Sequence, residues 1–319
     1  MTRTNSADGA GAIAPVLFLV FNRPEPTARV FAAIRAARPA RLYVAADGPR
    51  KHRPGEDAAV QEVRALATRV DWPCELRTLF RQDNLGCKRA VSTAVSWFFE
   101  QEPEGIVLED DCVPGGDFFT FCTALLERYR SDERIGWISG TALCDLAAQG
   151  MLGAGEDYAY TRHPYVWGWA SWRRVWQDYD VEIAAWKDRR AEILSALQTP
   201  RYRAVTAELL DRVAAGKIDT WDFQVNFMLW ANARLAVAPR FNLVENVGFT
   251  EDATHTRISG AMALLARRGQ GRMPMPPAPP ATIVPNMRYQ DYQERLASRS
   301  FLQKLLERVA IVLGYYRNR

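Results

Sequence analysis

The 319-residue chain has few of the residues that give most functions away. Its five cysteines, Cys74, Cys87, Cys112, Cys122 and Cys144, are odd in number and contain no CxxC pair. A disulfide framework and a zinc site are therefore both unexpected, and reduced thiols in a cytoplasmic protein are the plain reading. There are three histidines, His52, His163 and His255. No apolar run reaches the roughly 20 residues of a membrane span, and MTRTNSADGAGAIAP has no apolar core ahead of a cleavage site, so neither a membrane helix nor secretion is expected. GxGxxG and GxxxxGK[ST] are both absent, which removes the usual dinucleotide fingerprint and the P-loop. The charge is nearly balanced, 41 basic against 37 acidic residues, with no long basic run, so nucleic acid is not an expected partner. No internal repeat is found.

What is present is an alternation. After a flexible lead (1–13), APVLFLVF (14–21) is the continuous apolar run of a strand buried on both faces. RLYVAA (41–46), CELRTLF (74–80) and GIVLE (105–109) follow, separated by segments with apolar residues at helical spacing (27–37, 60–70, 87–101). The pattern β-α-β-α-β-α-β predicts an α/β fold, a mostly parallel sheet with helices on both faces. Ligands then bind beyond the carboxyl ends of the strands. Those ends carry Asn22-Arg23-Pro24, Asp47-Gly48, the segment Arg81 to Gly86, and Glu109-Asp110-Asp111. Further on, a helix is predicted over 118–129, a strand over 135–139, helix over 190–215 and 221–234, and a strand over 235–239. HPYVWGWASWRRVW (163–176) is an aromatic stretch, and 242–256 a polar, glycine-containing loop. The proline-rich 271–287 excludes helix and central strand and reads as a strap or linker. Residues 288–319 read as an amphipathic helical tail.

The acidic triplet stands where a buried strand ends, with Arg23, Lys88 and Arg89 expected nearby. Carboxylates there can hold Mg²⁺ or Mn²⁺, hard cations that take oxygen ligands and bridge to phosphate. The bland alternative is a solvated acidic turn. Lys88 and Arg89 open a helix whose N-terminal dipole favours anions. Trp167 and Trp169 flank Gly168, where backbone can approach a ligand, and are assigned to the acceptor side. In the tail, Leu302, Leu305, Val309, Val312 and Leu313 form a stripe beside Lys304, Arg308, Arg317 and Arg319. Such a helix can lie peripherally on an anionic membrane surface; packing on the catalytic domain or forming a homodimer is the alternative.

LEDDCVPGGDFFTF resembles the acidic segment of the inverting N-acetylglucosaminyltransferases that extend N-glycans, in which the triplet also precedes an aromatic helix. With Asn22-Arg23, Asp47 and a later Trp221-Asp222, the chain over roughly 14–256 is similar to GT-A-fold glycosyltransferases, whose DxD-type motif carries metal and sugar nucleotide. It also resembles bacterial sugar-nucleotide transferases with WGWASWRRVW and NVGF…ATHT segments. The resemblance implies a catalytic domain over 14–270, with a nucleotide-binding half (14–115) and an acceptor-binding half (116–270). It implies Arg23 on the diphosphate, Asp47 on the nucleobase imide, Glu109 and Asp110 on sugar and ribose, and Asp111 with His255 on Mn²⁺ or Mg²⁺. Asp222 would be the base of an inverting transfer, with Trp221 as its aromatic wall and Asp219 as its competitor. The donor would be a nucleoside diphosphate sugar, UDP foremost. The acceptor would be a hydroxyl of a glycan or lipid-linked acceptor in bacterial surface polysaccharide synthesis. A sugar-1-phosphate nucleotidyltransferase and a non-catalytic sugar-nucleotide-binding partner of a glycan-assembly complex are the alternatives.

Overall fold

The structure is a computed structural model and describes residues 12–248 and 272–298. Most of the lead (1–13), His255 and the stripe over 301–319 lie outside the described residues.

The N-terminal half follows the alternation. The strands are β1 (Val16–Val20), β2 (Arg41–Ala46), β3 (Glu75–Phe80) and β4 (Glu104–Glu109). They are separated by the helices α1 (Pro24–Ala37), α2 (Glu56–Ala67) and α3 (Gly86–Gln101). β1 lies parallel between β2 and β4 and is buried at every position, which is why its sequence is apolar without alternation. β3 pairs in parallel only with β2 and forms the sheet edge, so half of its side chains are exposed.

The second half adds β5 (Cys112–Pro114), α4 (Phe118–Arg128), β6 (Ile135–Ser139), β7 (Tyr158–Thr161) and β8 (Trp169–Trp172). These are followed by α5 (Arg173–Trp176), α6 (Trp186–Ser195), α7 (Pro200–Ala214) and α8 (Asp222–Ala231). β9 (Leu235–Pro239), β10 (Val244–Asn246) and α9 (Met287–Ala297) complete the described chain. The strand order is β3-β2-β1-β4-β8-β6-β9-β7. Six of the eight strands run one way. β8 enters antiparallel between β4 and β6, and β7 lies antiparallel on β9. The fold is therefore α/β, a mostly parallel mixed sheet flanked by helices, as expected. The reversed strand, WASW, lies inside the aromatic stretch. All four of its residues are buried, so it has neither polar alternation nor a length that marks it as a strand.

Two further boundaries differ. The helix predicted over 190–215 is two helices, because Pro200 sits at the first helical position of α7 and the chain breaks at Thr199. The loop predicted over 242–256 contains β10, which pairs antiparallel with β5. This ribbon folds residues 246–248 back over the acidic triplet. Val247 donates its N–H to the Asp111 carbonyl at 2.8 Å.

Candidate active site

At the carboxyl ends of β1, β2 and β4 lies a cavity of about 350 Å³. Its lining includes Arg23, Asp47, Asn84, Glu109, Asp111 and Asp219. Each is placed by a strand end or a helix start. Pro24 opens α1, and Arg23 sits at the N-cap without capping it. Its guanidinium is thereby left to reach across to β4's end. It hydrogen-bonds Asp110 and donates to Asp111 Oδ2 at 3.1 Å. The Arg23 charge is held firmly, since both carboxylates raise its pKa against the opposing effect of burial.

The triplet divides its roles by exposure. Asp110 is 4% exposed and accepts the Phe21 N–H at 3.3 Å. Burial pushes its carboxyl up to about 6, with Arg23 opposing. Burial, and then the Asp111 and Asp110 charges, push Glu109 well above the usual carboxylate range. Its carboxyl oxygens can accept hydrogen bonds from sugar hydroxyls. The Asp111 side chain lines the cavity. Gly248 lies so close that a Cβ there would stand 2.1 Å from Asp111 Oδ2, so this approach requires glycine.

Among the described residues no three His, Cys, Asp or Glu side chains converge as a metal cage. What Asp111 offers is one hard-oxygen donor at the cavity wall. Mg²⁺ is commonly held in this way, by one or two carboxylates with the remaining ligands from substrate phosphate and water. The donor set thus fits a cation carried by a phosphorylated ligand.

Asp47 is engaged in a different way from the expectation. It accepts from the N–H groups of Gly48 (2.9 Å), Leu85 (3.0 Å) and Gly86 (3.2 Å), and from Asn84 Nδ2 (3.0 Å). Arg64 Nη2 ties the same region together by donating to the carbonyls of Asp47 and Arg81. The Asp47-Gly48 turn and the loop over 82–86 are therefore one unit.

The remaining candidates separate. Asn22 lines the cavity and donates to Glu56 at 2.8 Å. Lys88 and Arg89 do not line it; Lys88 Nζ is paired with Glu182 at 2.8 Å, and Arg89 is exposed. The α3 N-terminus that was expected to face phosphate is met by Asp219, which accepts the Lys88 N–H at 3.1 Å. Asp219 lines the cavity. Asp222, in the first turn of α8, does not. Asp222 Oδ1 accepts the Phe223 N–H at 3.0 Å and the Thr220 hydroxyl, and its charge raises the Glu109 pKa.

Trp169 and Trp221 are core residues, which corrects the acceptor-side assignment. Trp169 is 0% exposed and stacks on Trp137 with ring centroids 3.9 Å apart; Trp221 is 3% exposed and tilts against Trp169. Neither has a free face for a sugar. Trp167 is half-buried outside the cavity lining. The cavity residues that strand-end reasoning did not single out include the polar side chains Asn84 and Arg50, both on connections after strands. Asn84 does fall in the segment after β3 that this rule pointed to.

No family model matches the chain, and no curated protein sequence matches it. Solved structures similar to it include HddC from Yersinia pseudotuberculosis, at 12% identity and a TM-score of 0.33, covering 52% of this chain and 80% of that one. Another is mouse xyloside xylosyltransferase 1 in its apo form, at 12% identity and a TM-score of 0.30, covering 68% of this chain and 80% of that one. Likeness at this level does not establish a shared activity.

Proposed function

We propose that the chain is a nucleotide-sugar-dependent glycosyltransferase. The observation that carries this reading is the convergence, on one cavity at the parallel strands' carboxyl ends, of Arg23, Asp111 and a row of hydrogen-bonding carboxyls. An arginine with a metal-capable carboxylate suits a diphosphate, and adjacent carboxyls suit sugar hydroxyls.

In this reading Arg23 turns one donor from Asp111 toward the diphosphate. Asp111 would hold the cation, with His255 as a second ligand from outside the described residues. Mg²⁺ or Mn²⁺, when bound, neutralises the charge that develops on the leaving nucleoside diphosphate. Glu109 and Asp110 orient the donor sugar. Asp222 removes the proton from the attacking hydroxyl as it approaches C1 in line, which makes the transfer inverting. Its place beside Glu109 electrostatically, and at the α8 start, supports this role. The acceptor is a hydroxyl of a glycan or a lipid-linked glycan of a bacterial surface polysaccharide, with residues 301–319 as the membrane-facing element. Among the described residues no helix is long and apolar enough to cross a membrane.

Calorimetric titration of UDP, GDP and dTDP, with Mn²⁺ and with EDTA, tests the reading. Metal-dependent binding of one of them, lost in Asp111→Ala, is expected. Binding of none would refute the transferase reading and leave the triplet as a solvated strand end. Asp222→Asn separates a transferase from a binding module, because only the former needs a base.

A further inference from the structure

The resemblance assigned the nucleobase to Asp47, yet Asp47 has nothing left to give. A carboxylate offers about four lone-pair positions. Four donors already reach this one: the N–H groups of Gly48, Leu85 and Gly86, and Asn84 Nδ2. A base N–H would have to displace one of them.

Asn84 is arranged in the opposite sense. Its Nδ2 donates to Asp47 Oδ2 at 3.0 Å and to the Gly48 carbonyl at 2.8 Å. Both partners are acceptors only, so the amide has a single sensible orientation, with nitrogen toward Asp47 and oxygen away. Both amide hydrogens are used. Oδ1 pairs with no donor among the described residues, and Asn84 lines the cavity. The mount is rigid. A Cβ on Gly48 would stand 2.4 Å from the Asp83 carbonyl carbon, and Gly86 holds φ +77°, so the turn and the loop pack backbone to backbone with no slack.

We infer that Asn84 Oδ1 reads the nucleobase, and that Asp47 is the positioning residue that holds it. This rests on the nucleotide-site reading above. A fixed acceptor selects a base whose ring nitrogen carries hydrogen: uracil and thymine at N3, guanine at N1. Cytosine N3 and adenine N1 present a lone pair instead, and two facing acceptors repel.

The test is calorimetric, on the full chain with Mn²⁺, using UDP and N3-methyl-UDP, which lacks the ring N–H. If GDP or dTDP binds more tightly in the screen above, that nucleotide and its ring-N-methylated form take their place. The wild type is expected to prefer the unmethylated nucleotide by about tenfold, and Asn84→Ala is expected to bring the two within about twofold of each other, as loss of one hydrogen bond predicts. The affinity of Asn84→Ala for the methylated nucleotide should stay near the wild-type value, which shows that the loop has survived. A preference that persists in Asn84→Ala overturns the inference and returns the base to Asp47. Equal loss of both nucleotides in Asn84→Ala also overturns it, since the residue would then act only on the loop. A wild type that binds both equally overturns it while leaving the nucleotide site standing. Binding of no nucleotide overturns the site reading itself.

Discussion

Glu294 on α9 is fully buried, with 0% exposure. It accepts the N–H groups of Gln198 (2.9 Å) and Thr199 (2.6 Å) at the start of α7, and it meets His163 Nε2 at 3.1 Å and Gln290 Nε2 at 3.2 Å. These bonds outweigh the burial that alone would raise its pKa, and they bring it from 4.5 down to about 2. At roughly 1.4 kcal/mol per pH unit, that difference is worth about 3 kcal/mol of stability at neutral pH. Glu294→Gln removes the charge, keeps the shape, and turns an amide nitrogen toward donors that need acceptors. We expect it to cost about 3 kcal/mol, or roughly 5 °C of Tm for a chain of this size. The pH dependence has a definite sign. The Glu294 contribution is complete above pH 4.5 and is lost as pH falls from there toward about 2. Burial lowers the His163 pKa below 6.5, so the folded state keeps its imidazole neutral while the unfolded chain takes up a proton. Stability therefore begins to fall below pH 6.5 and falls further below 4.5. Tm measured by calorimetry from pH 8 to pH 3 checks both steps. A Glu294→Gln protein within about 1 °C of wild type at pH 7, with an unchanged acid limb, would refute the reasoning.

Three further outcomes are expected. Asp222→Asn should lower transfer by at least about a hundredfold while leaving UDP affinity within about twofold, as loss of a general base does; if Asp219→Asn shows that pattern instead, Asp219 is the base. Gly48→Ala places a Cβ 2.4 Å from the Asp83 backbone, and should destabilise by about 1–3 kcal/mol in urea unfolding and weaken UDP binding together. Trp169→Ala, at a fully buried stacked indole, should cost about 3–5 kcal/mol, whereas Trp169→Phe should lower Tm and leave the KM for acceptor unchanged.

The strand-end rule located a good share of the candidate site from the sequence, because a parallel strand buried on both faces has to be apolar and has to stop where polar residues begin. Val16–Val20, Arg41–Ala46 and Glu104–Glu109 were legible on that ground, and with them Arg23, Asp47 and the triplet from Glu109 to Asp111. Asn84 was only bracketed, as part of the segment after β3. What made it a candidate reader was the saturation of Asp47, and that depends on distances.

The sequence by itself determined the local periodicities, the helix start at Pro24 and the place where negative charge gathers, since each depends on neighbours within a few residues. The tertiary structure alone decided which distant groups meet. Arg23 lies between carboxylates 87 and 88 positions further along. Trp169 joins the core on a reversed strand, and Glu294 caps a helix about 95 residues earlier. Long-range pairing of this kind leaves no period in the chain. A polar side chain in the sequence carries its donors and acceptors, but burial and geometry decide which of them are satisfied at home and which are left for a ligand.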